Sequence, residues 1–178
     1  MSPDLTWPQA EAIKARRVAL EPLRVDHAVE VANALGDPAL HDFIGGSPPS
    51  ADELLSRFAR QVVGQSADGS QGWLNWVVRA EASGEVVGTV QATLSRGRHG
   101  VHAEVAWVIA TPWQGRGLAK EAASAMVAWL RTVGVDHVMA HVHPQHAASA
   151  AVARHIGLEP TDAFVEDERR WASRGWSS

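Results

Sequence analysis

The stretch Trp107-Val108-Ile109-Ala110-Thr111-Pro112-Trp113-Gln114-Gly115-Arg116-Gly117-Leu118-Ala119 carries residue types and spacing that can do chemistry. An apolar strand runs into a turn with two glycines, and the turn opens a long helix. The first N–H groups of a helix lack internal partners, and the helix dipole adds partial positive charge there. Such a turn is an anion site suited to a diphosphate. Gly115 and Gly117 let the backbone approach without a Cβ in the way, and Arg116 can add a charge-assisted contact. The other reading is a tight strand–helix turn that holds nothing. The three-glycine dinucleotide spacing and the P-loop Gly-Lys-Ser/Thr are both absent.

A second group is histidine-rich. His141 and His143 share one face of a strand, with His146 close behind. No carboxylate completes a ligand set locally, so no metal is expected, and His141 and His143 read as packing residues. Cysteine is absent, which excludes disulfides, thiolate nucleophiles and Cys-ligated zinc.

The elements that must position these residues follow from periodicity and turn chemistry. Residues 1–15 read as an N-terminal extension with a short helix over Pro8 to Ala15, and residues 16–178 as one domain. Val18 to Leu23 reads as a strand, and Asp26 as the N-cap of a helix over His27 to Leu35. Ser50 with Glu53 forms a capping box for a helix bearing Leu54, Leu55, Phe58 and Val62 on one face. Trp73 to Glu81, Glu85 to Ser95 and Ala103 to Ala110 form an antiparallel meander. A helix over Gly117 to Val133 follows, its apolar face formed by Leu118, Ala122, Met126, Trp129 and Leu130. Then come a strand over His137 to His143, a helix over His146 to Ile156, and a hairpin over 158–172.

The chain has 178 residues, 46% hydrophobic and 20% charged, with formal charge −4, a globular balance. Fourteen arginines and two lysines are scattered without a cluster, so no nucleic-acid partner is expected. No apolar run reaches the roughly 20 residues of a membrane span, and Met1 to Gln9 lacks a secretory layout. A cytoplasmic protein with no membrane partner is expected.

Gln114-x-x-Gly117-x-Ala119 resembles the Gln/Arg-x-x-Gly-x-Gly/Ala signature of the GCN5-related N-acetyltransferase (GNAT) superfamily. Ala103 to Trp107, Lys120-Glu121-Ala122, Leu20 to Asp26 and Asp37-Pro38 are similar to its ribosomal-protein N-terminal acetyltransferase (RimJ/RimL-like) subgroup. His146 to Leu158 is similar to the second coenzyme A segment. The likeness runs from about Val18 to Trp171. It implies an α+β fold: a mostly antiparallel sheet of six to seven strands, splayed between strands 4 and 5, with about four helices. It also implies acetyl transfer from acetyl-coenzyme A to a primary amine, on a small molecule or a protein N-terminus, by direct attack in a ternary complex. A coenzyme A-binding module with lost or altered transfer is the alternative.

The resemblance also assigns roles. Backbone groups of Trp107, Val108 and Ile109 bind the pantetheine arm. Gln114, Gly115, Arg116, Gly117, Leu118 and Ala119 hold the pyrophosphate. His146, in place of the usual asparagine, contacts the coenzyme. Glu104 serves as the base, directly or through water, against the reading of a surface carboxylate. Glu121, in the first turn of its helix, reads as structural. The tyrosine that many relatives use as an acid aligns with Ala153, and this chain has no tyrosine. Ser149 is the substitute donor or a coenzyme contact. His41, Asp42 and Phe43, with Trp73, Asn75 and Trp76, border an acceptor site suited to a cationic or partly apolar amine. Homodimers are common in the family, but no interface signature is legible.

Overall fold

Alternation of apolar and polar residues makes the middle of the chain a meander with two different faces. β3 (Gln71–Ala80), β4 (Val86–Gly97) and β5 (Gly100–Ile109) pair antiparallel in sequence order. Leu74, Trp76, Val78, Val90, Ala92, Leu94, Ala103 and Val105 are buried in one large core cluster. By the period of two, the other face carries three rows: Trp73, Thr93 and Glu104; Asn75, Gln91 and Ala106; Val77, Thr89 and Val108. The structure is a computed structural model in which residues 6–43 and 45–176 are described.

The complete sheet has eight strands in the order β1-β2-β3-β4-β5-β6-β8-β7. β1 (Ile13–Lys14) and β2 (Val18–Pro22) form one edge, while β6 (His137–Val142), β8 (Glu168–Ser173) and β7 (Leu158–Val165) form the other. β5 and β6 are joined in parallel by only three residue pairs, ending at Glu104 opposite Met139. Beyond that point they part, at the place expected for the splay. α3 (Leu118–Thr132) makes the crossover between them. It seals the large core with Leu118, Ala122, Met126 and Leu130, beside Ala153 of α4 (Ala147–His155). α1 (Ala28–Ala34) and α2 (Ala51–Gln61) cover the opposite face through Val31, Leu54 and Phe58 packed on Val77 and Val86. The Ser50–Glu53 capping box forms as expected.

Four expectations change. The eighth strand is β1, in a segment expected to be helical. Trp7 holds that segment extended: it is buried over Gly72, its indole N–H donates to Gly69 O at 2.9 Å, and Trp76 donates to Glu11 O at 2.7 Å. Asp26 does not cap α1, because a 3-10 turn over Val25–His27 precedes the helix and Asp26 accepts from Arg24 instead. On α2, Leu55 and Val62 are exposed while Leu54 and Phe58 are buried, a narrower apolar stripe than the spacing implied. Trp129 is only half-buried; it packs against the core's rim, edge-on to Trp76.

β2 is tied to α1 by a polar network. Arg79 donates to both Glu30 oxygens at 2.8 and 3.0 Å and to Glu21, which Arg24 also contacts. Buried His27 lies 3.2 Å from the same Glu21 carboxylate. Burial pushes Glu21 up, but the Arg79 and Arg24 bonds outweigh it and hold its carboxyl at about 2. A depressed carboxyl contributes stability above its unfolded value and loses it as pH falls toward the folded one. Urea midpoints should therefore hold from pH 7 to about 4.5 and drop below that. Glu21→Gln should flatten this acid limb; an unchanged limb would show that another group governs it.

Candidate active site

The glycine turn is built from the end of β5. The chain leaves Ile109 through a 3-10 turn at Thr111–Trp113, and the Gln114 amide reaches back to donate to Ile109 O at 2.9 Å. Gly115 and Gly117 both take left-handed backbone, at φ 75° and 76°. Arg17 donates to Arg116 O at 2.7 Å and fixes the turn from β2. Gly117 is the N-cap of α3 and no side chain caps the helix, so its first amides are left for an outside acceptor. Glu121 accepts from Arg17 N at 2.7 Å and Val18 N at 3.1 Å, which accounts for it as a structural residue. Arg116 departs from expectation: its guanidinium folds back to Pro112 O at 3.2 Å and over Trp113, outside the cleft.

A cleft of about 580 Å³ opens where β5 and β6 part. Trp107, Val108 and Ile109 form one wall, with Gln114, Gly115, Gly117, Leu118 and Ala119 at its end; His141, His143, His146 and Ser149 form the other. Beyond Glu104 the β6-facing edge of β5 has no strand partner among the described residues. An uncapped helix start, two left-handed glycines and a free strand edge fit a diphosphate followed by an amide-bearing arm. A Cβ on Gly115 would meet nothing within 4 Å, so it would point into open space at the turn. Gly115→Ala should cost only about 1–2 kcal/mol of stability from the left-handed backbone. It should weaken acetyl-coenzyme A binding at least tenfold by calorimetry. Unchanged binding would return the turn to plain structure.

Across the cleft, His146 is the N-cap of α4, and its Nδ1 accepts from Ser149 N at 3.3 Å. Burial, then His143, lowers its pKa from the usual imidazole value, so the ring is neutral at pH 7 and carries its proton on Nε2. Phe43 stacks on it at 4.4 Å between centroids. Among the described residues, Ser149 is the only hydroxyl residue lining the cleft.

Glu104 stands at the last paired position before the splay. His141 Nδ1 lies 2.8 Å from Glu104 Oε1, and Arg170 Nε donates to His141 Nε2 at 3.4 Å. An acceptor role for Nε2 leaves the proton on Nδ1, where it is donated to Glu104. His141, expected to be a packing residue, therefore orients the candidate base. The signal was in the register: Glu104 opposes Met139, and His141 is two residues on, on the same face and diagonal to Glu104.

On the α1–α2 side of the sheet a second cavity of about 220 Å³ shares Leu40, Ala106, Trp107 and Val108 with the cleft and is otherwise mostly apolar. His41, Asn75 and Trp76 are among the residues that line it. A third, of about 270 Å³, adjoins it and is lined by Trp73. Phe43 lines the cleft instead, and Asp42, turned outward after the Pro38–His41 turn, lines none of the three cavities. Trp76 also borders the apolar cavity, but it is fully buried and its ring packs edge-on to Trp129 of α3, so strand alternation turns most of that side chain to the core.

The family model for the acetyltransferase (GNAT) domain matches residues 17–159. The chain belongs to the GNAT acetyltransferase family. It therefore shares the acetyl-coenzyme A-dependent acyl transfer of that family. The GNAT fold is also seen in solved structures. RimJ of Mycobacterium smegmatis, in complex with CoA-disulfide, is 20% identical, with TM-score 0.72 over 91% of this chain and 86% of that one. The ribosomal-protein-S5-alanine acetyltransferase of Vibrio fischeri is 15% identical, with TM-score 0.68 over 94% and 100%. A spermidine N-acetyltransferase SpeG chimera, from Vibrio cholerae and hSSAT, is 16% identical, with TM-score 0.69 over 89% and 95%. No curated protein matches.

This GNAT enzyme departs from the family pattern where the tyrosine usually stands. Ala153 is completely buried in the core, so nothing from that position enters the cleft. Among the described residues no helix is long and apolar enough to cross a membrane, and no group of three or more His, Cys, Asp or Glu could hold a metal ion.

Proposed function

We propose that this GNAT enzyme acetylates a primary amine by direct attack within a ternary complex. The reading rests on the position of Glu104: it is held by His141 at the fork of β5 and β6, on the face that also carries the acceptor cavities. Acetyl-coenzyme A supplies an activated thioester, with its diphosphate at Gly115–Ala119 and its arm along Trp107–Ile109, contacted by His146 and Ser149. Glu104 removes a proton from the ammonium, directly or through water, because an alkylamine with a pKa of about 10.4 is mostly protonated at neutral pH. The nitrogen lone pair forms the new C–N bond as the C–S bond breaks. A β5 backbone N–H stabilises charge on the carbonyl oxygen. The Ser149 hydroxyl hydrogen-bonds the departing sulfur, which takes up the proton lost by the newly acylated nitrogen and leaves as a thiol, while the proton on Glu104 passes to water.

Thermal unfolding with and without acetyl-coenzyme A, followed by thiol release over an amine panel, tests this. A ligand at 100 times its dissociation constant adds about 2.7 kcal/mol. A shift together with amine-dependent thiol release supports transfer. A shift without release from any amine would leave a coenzyme-binding module.

A further inference from the structure

The two cavities on the α1–α2 side adjoin one another beside the row of residues that carries Glu104. The apolar cavity and its neighbour share Arg57, Gln61, Asn75 and Gln91, and the neighbour adds Arg60, Trp73 and Thr93. No aspartate or glutamate lines either one. Arg57 and Arg60 lie one turn apart on α2, and among the described residues neither side chain forms an ion pair or hydrogen bond. The nearest acid of helix α2, Glu53, is occupied with Ser50 N at 2.7 Å. Arg57 lines both cavities and Arg60 the second, and two guanidiniums with no carboxylate lining either cavity to answer them repel a second positive charge and attract a negative one. Planar guanidinium forks suit a carboxylate in particular. Trp73 and Thr93, which line the arginine-bearing cavity, share their row with Glu104, one and two strand spacings away (roughly 5 Å for Thr93 and roughly 10 Å for Trp73).

We propose that the acceptor is an amine bearing a carboxylate on an apolar stem, and that Arg57 and Arg60 bind that carboxylate while the amine faces Glu104. This rests on the amine-transfer reading above and narrows its substrate class: it excludes polyamines and favours anionic amines. The carboxylate could belong to a free amino acid or to an acidic side chain near a peptide N-terminus, and both present the same chemistry to the two arginines.

The test compares acceptors of one stem length, 6-aminohexanoate, 6-aminohexanamide and 1,6-diaminohexane, by thiol release from acetyl-coenzyme A. The acid should exceed the amide about tenfold in kcat/KM, with the diamine lowest, and Arg57→Gln/Arg60→Gln should erase the difference. Ala-Glu-amide against Ala-Gln-amide asks the same of a peptide N-terminus; a charge preference in either set supports the proposal, and the larger one names the source. Equal turnover of all three hexyl amines and both peptides, or a preference that survives the double substitution, overturns the proposal while leaving amine transfer intact. In parallel, hexanoate and hexanamide are titrated onto the coenzyme A-bound protein. If no amine turns over but hexanoate alone binds, and only with both arginines present, the anion site stands and the transfer reading fails. If neither turnover nor hexanoate binding occurs, both fall.

Discussion

Glu104→Gln should lower kcat/KM for amine acetylation by about 10²–10³-fold, the usual worth of a positioned general base. It should leave the unfolding temperature and acetyl-coenzyme A affinity unchanged. The side chain is about half exposed, and its one described bond is to His141, so the isosteric amide keeps the packing. What it loses is the ability to accept a proton. The distinguishing readout is pH. Near the amine's own pKa of about 10.4 the acceptor is already substantially neutral, so the gap between wild type and variant should narrow there. A gap that stays constant with pH would mean that Glu104 only binds the acceptor. His141→Phe keeps the carboxylate but removes its orienting N–H, and should cost less, roughly ten- to a hundredfold.

The sequence made the sheet legible because its signals are local. Valine-rich alternation fixed β3, β4 and β5, the Ser50–Glu53 pair fixed the start of α2, and Gly117 fixed the start of α3. Contacts distant in sequence were harder to read. Trp7 overrides the helical tendency of its neighbours by inserting over Gly72, 65 positions on, a pairing that no periodicity reports. Arg116 reads as a phosphate ligand from its place in the turn, and its contacts to Pro112 O and over Trp113 are not legible in that spacing. The role of His141 needed the β5–β6 register, which is set by the α3 crossover rather than by either strand. The tryptophans of the sequence suggest a cation site, whereas the cavity that Trp73 lines is also lined by Arg57 and Arg60, from a helix whose packing against the sheet no periodicity reports.

Gly88 gives the other large effect, through the wall of the cleft rather than its chemistry. It sits on β4 between Val78 and Ile109, and a Cβ there would lie 2.1 Å from Val108 O and 2.9 Å from Ile109 Cδ1. The first contact is with backbone, so no rotamer change relieves it; β4 and β5 must move apart. Overpacking of this kind costs about 1–3 kcal/mol or more, which for a chain this size lowers the unfolding temperature by about 5–10 °C. The displaced segment is also the one proposed to hold the pantetheine arm, and Ile109 O anchors Gln114 and with it the glycine turn. Gly88→Ala should therefore lose stability and at least tenfold in acetyl-coenzyme A affinity together. Gly115→Ala should lose affinity with little stability. Measured side by side by thermal unfolding and calorimetry, the two alanines separate a wall that shapes the site from a turn that touches the ligand. If Gly88→Ala weakens only stability, the β5 edge does not hold the coenzyme arm.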